Sequence, residues 1–326
     1  MAVPAALDPL NLTGPGGRVV AVVGPTATGK STLGVRLAAA LGGEVVNADS
    51  MQLYVGMDVG TDKLDPVERA GIPHHLLDIW PVTRAANVSD YQRLARETVD
   101  RLLAVGRTPV LVGGSGLYVR AVLDDLEFPG TDPVLRARLE AELDAEGAAA
   151  LHARLGQRDP AAAAAILPSN GRRLVRALEV IEMTGQPFSA RLPAYRYRYD
   201  AVQIGLALED ATLDERIQAR VERMWGRGFV DEVRRLAAAG LPEGRTASRA
   251  LGYHQVLEHL SGRLGEAEAR ARTVAATRRF ARRQRSWFRR DPRVHWLPAD
   301  RPDLPEQALA RAAAPADRAE AVDQIP

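Results

Sequence analysis

The stretch Gly24-Pro25-Thr26-Ala27-Thr28-Gly29-Lys30-Ser31 is an unbroken G-x-x-x-x-G-K-[ST] loop, and it follows the apolar run Val19 to Val23 directly. A helical run, Thr32 to Leu41, comes next, so strand, loop and helix stand in the order that a phosphate cradle requires. The glycines let backbone N–H groups turn inward, Lys30 reaches the outer phosphates, and Ser31 offers its hydroxyl to Mg2+ at the helix start. This predicts an α/β fold of P-loop NTPase type, a parallel sheet flanked by helices. The loop does not name the phosphate. Of 43 basic residues only Lys30 and Lys63 are lysine, so a chain that otherwise uses arginine keeps a lysine here.

The 326 residues, 46% of them hydrophobic, suffice for two domains or for one domain with a large insertion, and exclude disorder throughout. Basic and acidic residues nearly balance, 43 against 41, although the pI is about 9.1. Nucleic-acid affinity must therefore come from clustered arginine and not from overall charge. With no cysteine, disulfides, thiolate metal sites and cysteine nucleophiles are excluded. No charged-then-apolar leader opens the sequence and no apolar run nears membrane-spanning length, so a cytoplasmic monomer without membrane contact is expected.

Residues 1–17 read as a mobile extension. A second strand, Glu44 to Asn47, ends in Ala48-Asp49-Ser50-Met51-Gln52, placing Asp49 at a carboxyl strand edge, where parallel sheets gather ligands. Asp49 should face the cradle, or cap a short helix from Ser50 to Tyr54, or do both. His74 and His75, adjacent in extended chain, point to opposite faces and read as structural. Ser89 with Gln92 forms a capping box for a helix ending at Gly106. The strand Thr108 to Val112 runs into Gly113-Gly114-Ser115-Gly116, where an ordinary P-loop NTPase places an acid for its metal; no acid stands there.

Strand signals stop between residues 127 and 199. Asp132-Pro133, Asp159-Pro160 and Asn170-Gly171 each read as an N-cap followed by a first helical residue, and Gly185 reads as a stop. The apolar run Val202 to Leu208 then returns to the sheet, so a helical insertion interrupts one α/β core spanning 18–126 and 200–297. The next helix carries Arg216, Arg220, Arg223 and Arg227 on one face. A longer one, Glu266 to Arg290, interleaves arginines with Phe280, Trp287 and Phe288, with few acids nearby in sequence. It reads as an RNA or phosphate surface, or as a solvated face with aromatics docked on the core. Val294 to Leu297 reads as a last strand and 298–326 as a frayed tail.

Gly24 to Ser31, Asn47 to Gln52, Val112-Gly113-Gly114-Ser115-Gly116-Leu117-Tyr118 and Ser248 to His254, in this order and around a helical insertion, resemble the tRNA dimethylallyltransferase family. The resemblance spans roughly 18–297, with Ser115 where the family often has threonine. It implies transfer of a dimethylallyl group from dimethylallyl diphosphate to the exocyclic N6 amine of the adenosine 3′ to the anticodon, position 37, with release of diphosphate. It further implies that Gly24, Pro25, Thr26, Ala27, Thr28, Gly29, Lys30, Ser31 and Arg220 bind the donor, with Ser31 a Mg2+ ligand. Asp49 and Ser115 would be catalytic. For the tRNA anticodon stem-loop it implies Asp49, Ser50, Met51, Gln52, Arg136, Gly171, Arg172, Arg173, Leu174, Val175, Arg249, Gly252, Tyr253 and His254. The arginine cluster adds Arg278, Arg282, Arg285 and Arg289 as phosphate-backbone contacts.

The chemistry fits the loop. Pyrophosphate leaves, so a cradle of N–H groups, Lys30, Arg220 and Mg2+ meets the charge that builds on it, and an acid for water activation is unnecessary. A small-molecule or nucleotide kinase shares the loop and the strand-edge aspartate, but leaves the basic C-terminal region without a role. A non-catalytic RNA-binding GTP or ATP switch uses the arginines but not Asp49.

Overall fold

The computed structural model describes residues 17–189 and 195–314. It divides into two compact units, one of Met1–Leu123 with Tyr197–Pro326, the other Asp124–Arg196. The expected extension lies outside the described residues but for Gly17, as does the end of the tail from residue 315.

In the first unit, apolar runs bounded by glycines form strands and the amphipathic segments between them form crossover helices. The strands are β1 (Val19–Val23), β2 (Glu44–Asn47), β3 (His74–His75), β4 (Pro109–Gly113), β5 (Ala201–Ala207) and β6 (Val294–Pro298). They pair in the order β3-β2-β4-β1-β5-β6, every pair parallel. A parallel sheet needs cover on both faces, and the alternation along β1 supplies it. Val19, Ala21 and Val23 face the larger core, while Val20 and Val22 face the smaller one with Leu33 and Leu37. The larger core draws on α2 (Val88–Ala104), α3 (Gly116–Leu123), α7 (Asp210–Gly226), α8 (Phe229–Ala238), α9 (Tyr253–Leu260) and α10 (Glu266–Phe288). The smaller is covered by α1 (Lys30–Ala40) and α11 (Leu304–Ala313).

Three expectations change here. The tail is not frayed throughout, because α11 buries Ala308 and Ala312 against α1 and the sheet. Arg18 pins its end, donating to Ala312 O and Ala314 O while pairing with Asp200. No helix runs from Ser50 to Tyr54; a series of turns carries the chain there. The cap of α2 is Asn87, not Ser89: its Oδ1 accepts from Asp90 N–H at 2.7 Å and its Nδ2 donates to Asp90 Oδ2. Gln92 instead donates to Ala121 O. His74 and His75 are structural as read, His75 pairing with Glu44 and His74 hydrogen-bonding Ile72 O.

The second unit holds α4 (Pro133–Arg158, kinked at Gly147), α5 (Pro160–Ala165) and α6 (Gly171–Thr184). Asp132, Asp159 and Asn170 cap them through their side chains, and Gly185 ends α6 at φ 67°, as the sequence requires. The insertion therefore runs from residue 124 to 196, three residues ahead of the expected bounds at each end.

Candidate active site

The strands β1, β2 and β4 end side by side, and the loops leaving them in the first unit meet α7 and α10 around a cavity of about 390 Å³. Thr26, Lys30 and Ser31 line it from the phosphate loop, Asp49 to Gln52 from the end of β2, Ser115 from the end of β4, and Arg220 from α7. Most of the catalytic and donor residues expected from sequence thus converge. The loop bends back on itself: Thr28 Oγ1 donates to Pro25 O at 2.9 Å, Lys30 Nζ donates to the same oxygen, and Ala27 sits at φ 64°, a left-handed value rare for a side-chain-bearing residue. Gly24 must be glycine, since at its φ of 128° a Cβ would meet Leu206 O at 2.7 Å.

Asn47 holds Asp49 in place. Its Oδ1 accepts from Asp49 N–H at 2.9 Å, and its Nδ2 donates to Asp49 O and to Leu76 O, each at 3.0 Å. Asp49 Oδ1 accepts from Met51 N–H at 3.0 Å, a local turn bond, while Oδ2 accepts no hydrogen bond among the described residues. One carboxylate thus both caps a turn and presents an unused oxygen to the cavity. Ser115 Oγ accepts from Ser50 N–H at 3.2 Å and lies 3.3 Å from Ser50 Oγ, so the two hydroxyls sit together.

Arg220 reaches in from α7. It donates to Thr26 Oγ1 at 2.7 Å and to Thr61 O at 3.2 Å, with Asp62 Oδ2 3.5 Å away. Burial pushes the Lys30 ammonium down to about 7, with Asp49 and Asp62 opposing the fall and Arg220 adding to it. The loop that presents Thr61 is fixed from behind. Glu232, 2% exposed, accepts from the N–H groups of Asp58, Val59 and Gly60 and from Tyr253 Oη at 2.6 Å.

Several expected RNA contacts take other roles. Tyr253 is fully buried and its hydroxyl is spent on Glu232; burial and that carboxylate raise its pKa well above the usual value. Gly252 is buried, whereas Arg249 and His254 are exposed and Arg249 lines the cavity. Arg278 and Arg282 pair with Asp214, and Arg285 with Asp210, both acids lying on α7. The arginine face is therefore balanced by acids that sequence proximity did not reveal; Arg289, exposed at the C-cap of α10, adds to the positive charge, led by Arg285, that holds the Asp210 carboxyl below its ordinary value. In the second unit Leu174 and Val175 are buried in the helical core, which removes them as direct contacts. Arg136 and Arg176 clasp the fully buried Glu179; burial raises that carboxyl but the two guanidinium groups more than offset it and hold it below its ordinary value. Gly171, Arg172 and Arg173 remain at the open N-terminus of α6, the two arginines exposed.

Sequence reasoning missed the cavity face of α10. Thr273, Thr277, Phe280, Arg283 and Gln284 line the site, and Arg283 lies over the Phe280 ring at 5.8 Å. Their spacing marks one helical face, but so does that of the arginines beside them.

The IPP transferase family matches residues 52–291. The chain belongs to the IPP transferase family. That span takes in Ser115, Arg220 and the whole of α10, while the phosphate loop and Asp49, which line the same cavity, precede it. Relatives of the family called tRNA dimethylallyltransferase include one from Streptomyces coelicolor, 68% identical over 299 residues, covering 91% of this chain and 96% of its own. Another, from Thermobifida fusca, is 66% identical over 297 residues, covering 90% and 93%. Among solved structures, the tRNA isopentenylpyrophosphate transferase of Bacillus halodurans is similar with a TM-score of 0.67 and 39% identity, over 90% of this chain and 94% of that one. No helix among the described residues is long and apolar enough to cross a membrane.

Proposed function

We propose that the protein transfers the dimethylallyl group of dimethylallyl diphosphate to the N6 amine of the adenosine 3′ to the anticodon of tRNA, releasing diphosphate. The observation that carries this reading is the meeting, in one cavity, of Lys30 and Arg220 with Asp49, whose Oδ2 has no hydrogen-bond partner among the described residues, beside a hydroxyl pair. Lys30, Arg220 and the loop N–H groups hold the diphosphate and neutralise the charge that grows as the allylic C–O bond breaks. The adenine nitrogen has a lone pair delocalised into the ring, so a base that takes its proton during attack matters; Asp49 Oδ2 takes it. Ser115 orients the amine. A loop base reaches such a pocket more cheaply than a paired one, because leaving the stack costs a few kcal/mol.

The oxygen-only donors at the cavity, Ser31, Asp49 and Asp62, are hard ligands that suit Mg2+, which keeps waters and phosphate oxygens in its shell. Ser31 would hold it, and when bound it would supply further charge neutralisation on the diphosphate. A single chain working in the cytoplasm is sufficient for this chemistry.

Incubation with Mg2+, undermodified tRNA and labelled dimethylallyl diphosphate, with labelled ATP in parallel, tests the reading. Prenyl label entering tRNA is expected; phosphoryl transfer from ATP to a small acceptor, without prenyl transfer, overturns it.

Lys30 makes diphosphate binding pH-dependent. An anion in the cradle returns the proton that burial has loosened, so binding takes up a proton above pH 7 and not below it. For the empty protein the sign is the reverse partner of this: between about 7 and 10.5 the unfolded chain holds more protons at Lys30, so its contribution to stability rises with pH across that window. Calorimetry with pyrophosphate in two buffers of different ionisation enthalpy should show the parent taking up more protons than Lys30→Arg at pH 8, with the difference shrinking towards pH 6. Equal uptake by both proteins at pH 8 would remove Lys30 as the titrating group.

A further inference from the structure

We propose that Gln284 is a positioning residue that sets the spacing between the diphosphate cradle and the serine hydroxyls that receive the acceptor amine; this rests on the function proposed above. Strands β1 and β4 are held in register by backbone pairing only as far as Val23 and Gly113. Beyond that pair the chains diverge, one into the phosphate loop, the other into Gly114-Ser115. Gln284, 5% exposed, bridges them where the ladder stops. Its Oε1 accepts from Thr26 N–H at 2.9 Å, and its Nε2 donates to Gly114 O at 2.9 Å.

A side-chain amide has the same donor and acceptor as a peptide unit, so Gln284 acts as one more rung between two strands that have run out of backbone partners. Both residues it touches adjoin the chemistry. Thr26 also receives Arg220 at its hydroxyl, and Gly114 precedes Ser115. A Cβ at residue 114 would lie 2.1 Å from Gln284 Nε2, so a side chain there must push the amide aside. The second glycine of Gly113-Gly114-Ser115 is thus accounted for by the approach of α10.

A reacting pair displaced by about 1 Å loses roughly 100-fold in rate even when both partners still bind. Gln284→Met keeps the length of the side chain and removes both bonds. Single-turnover prenyl transfer at saturating donor and tRNA should fall about 100-fold, while the Kd values for pyrophosphate and for tRNA change less than about threefold. Gly114→Ala, which pushes the same amide away from the other side, should reproduce the loss, and the double variant should add little to either. Thermal melting serves as the folding control. A single-turnover rate within twofold of the parent in Gln284→Met, or a loss carried wholly by the pyrophosphate Kd, or additive effects in the double variant, would overturn the proposal. A parent that moves no prenyl group to tRNA would instead overturn the function on which it rests.

Discussion

Asp49→Asn is expected to slow single-turnover prenyl transfer by about 10²–10⁴-fold while leaving pyrophosphate and tRNA affinity nearly unchanged. The amide is chosen because it separates the two duties of this side chain. Asn Oδ1 can still accept from Met51 N–H, so the turn after β2 keeps its bond and the segment Ser50 to Gln52 keeps its course. What the amide cannot do is take a proton, and Oδ2 is the oxygen that has no other partner among the described residues. Asp49→Ala removes both functions and should add a loss of stability of about 1 kcal/mol through the missing turn bond. Rapid-quench measurement of the bound complex decides the matter: a parental rate in Asp49→Asn would leave Asp49 as a turn residue and send the search for a base elsewhere in the cavity.

The second large effect is expected at Arg220. Its guanidinium is held between Thr26 Oγ1, Thr61 O and Asp62, so it enters the cavity already oriented and loses little entropy on meeting a phosphate. Hydrogen bonds to charged groups are worth about 1.5–3 kcal/mol, so Arg220→Ala should raise the donor KM by about 10- to 100-fold. If the contact tightens as charge develops on the leaving group, kcat falls as well. Arg216, Arg223 and Arg227 do not line the cavity, and their alanine variants should leave the donor KM within about twofold of the parent, the usual scale for exposed charges. Equal losses at all four positions would show a diffuse field in place of a specific grip.

The parts of this architecture legible in sequence are those governed by contacts close along the chain. The phosphate loop is one: strand, glycines and lysine lie within thirteen residues, and the structure places them as the spacing demands. The caps Asp132, Asp159 and Asn170 are another, since a cap bonds two or three residues ahead. Where two caps compete within three residues, as Asn87 and Ser89 do before α2, sequence has no way to rank them, and the side chain with a reciprocal acid partner wins. The harder cases are long-range. Asp210 and Asp214 lie 64 to 75 residues from the arginines they neutralise, so α10 looked more positive than it is. Gln284 and Glu232 are single polar residues whose partners are up to 258 residues away, and no periodicity marks them. α11 is hard to read because alanine-rich sequence carries little polar contrast, although small buried residues are what close packing against α1 requires.

The two lysines give the folded chain an unusual chemical handle. Lys63 is 3% exposed at its side chain and shared between Asp58 and Asp78, each at 2.6 Å, so reagents in solvent do not reach it. Lys30, whose ammonium burial pushes down to about 7, is the other ε-amine in 326 residues. An aldehyde reagent that discriminates against the α-amino group therefore meets one reachable lysine ε-amine on the folded protein, at the candidate active site. The arginine-rich composition thus leaves this cradle open to covalent tagging at a single lysine, with a diphosphate as the natural shield against it.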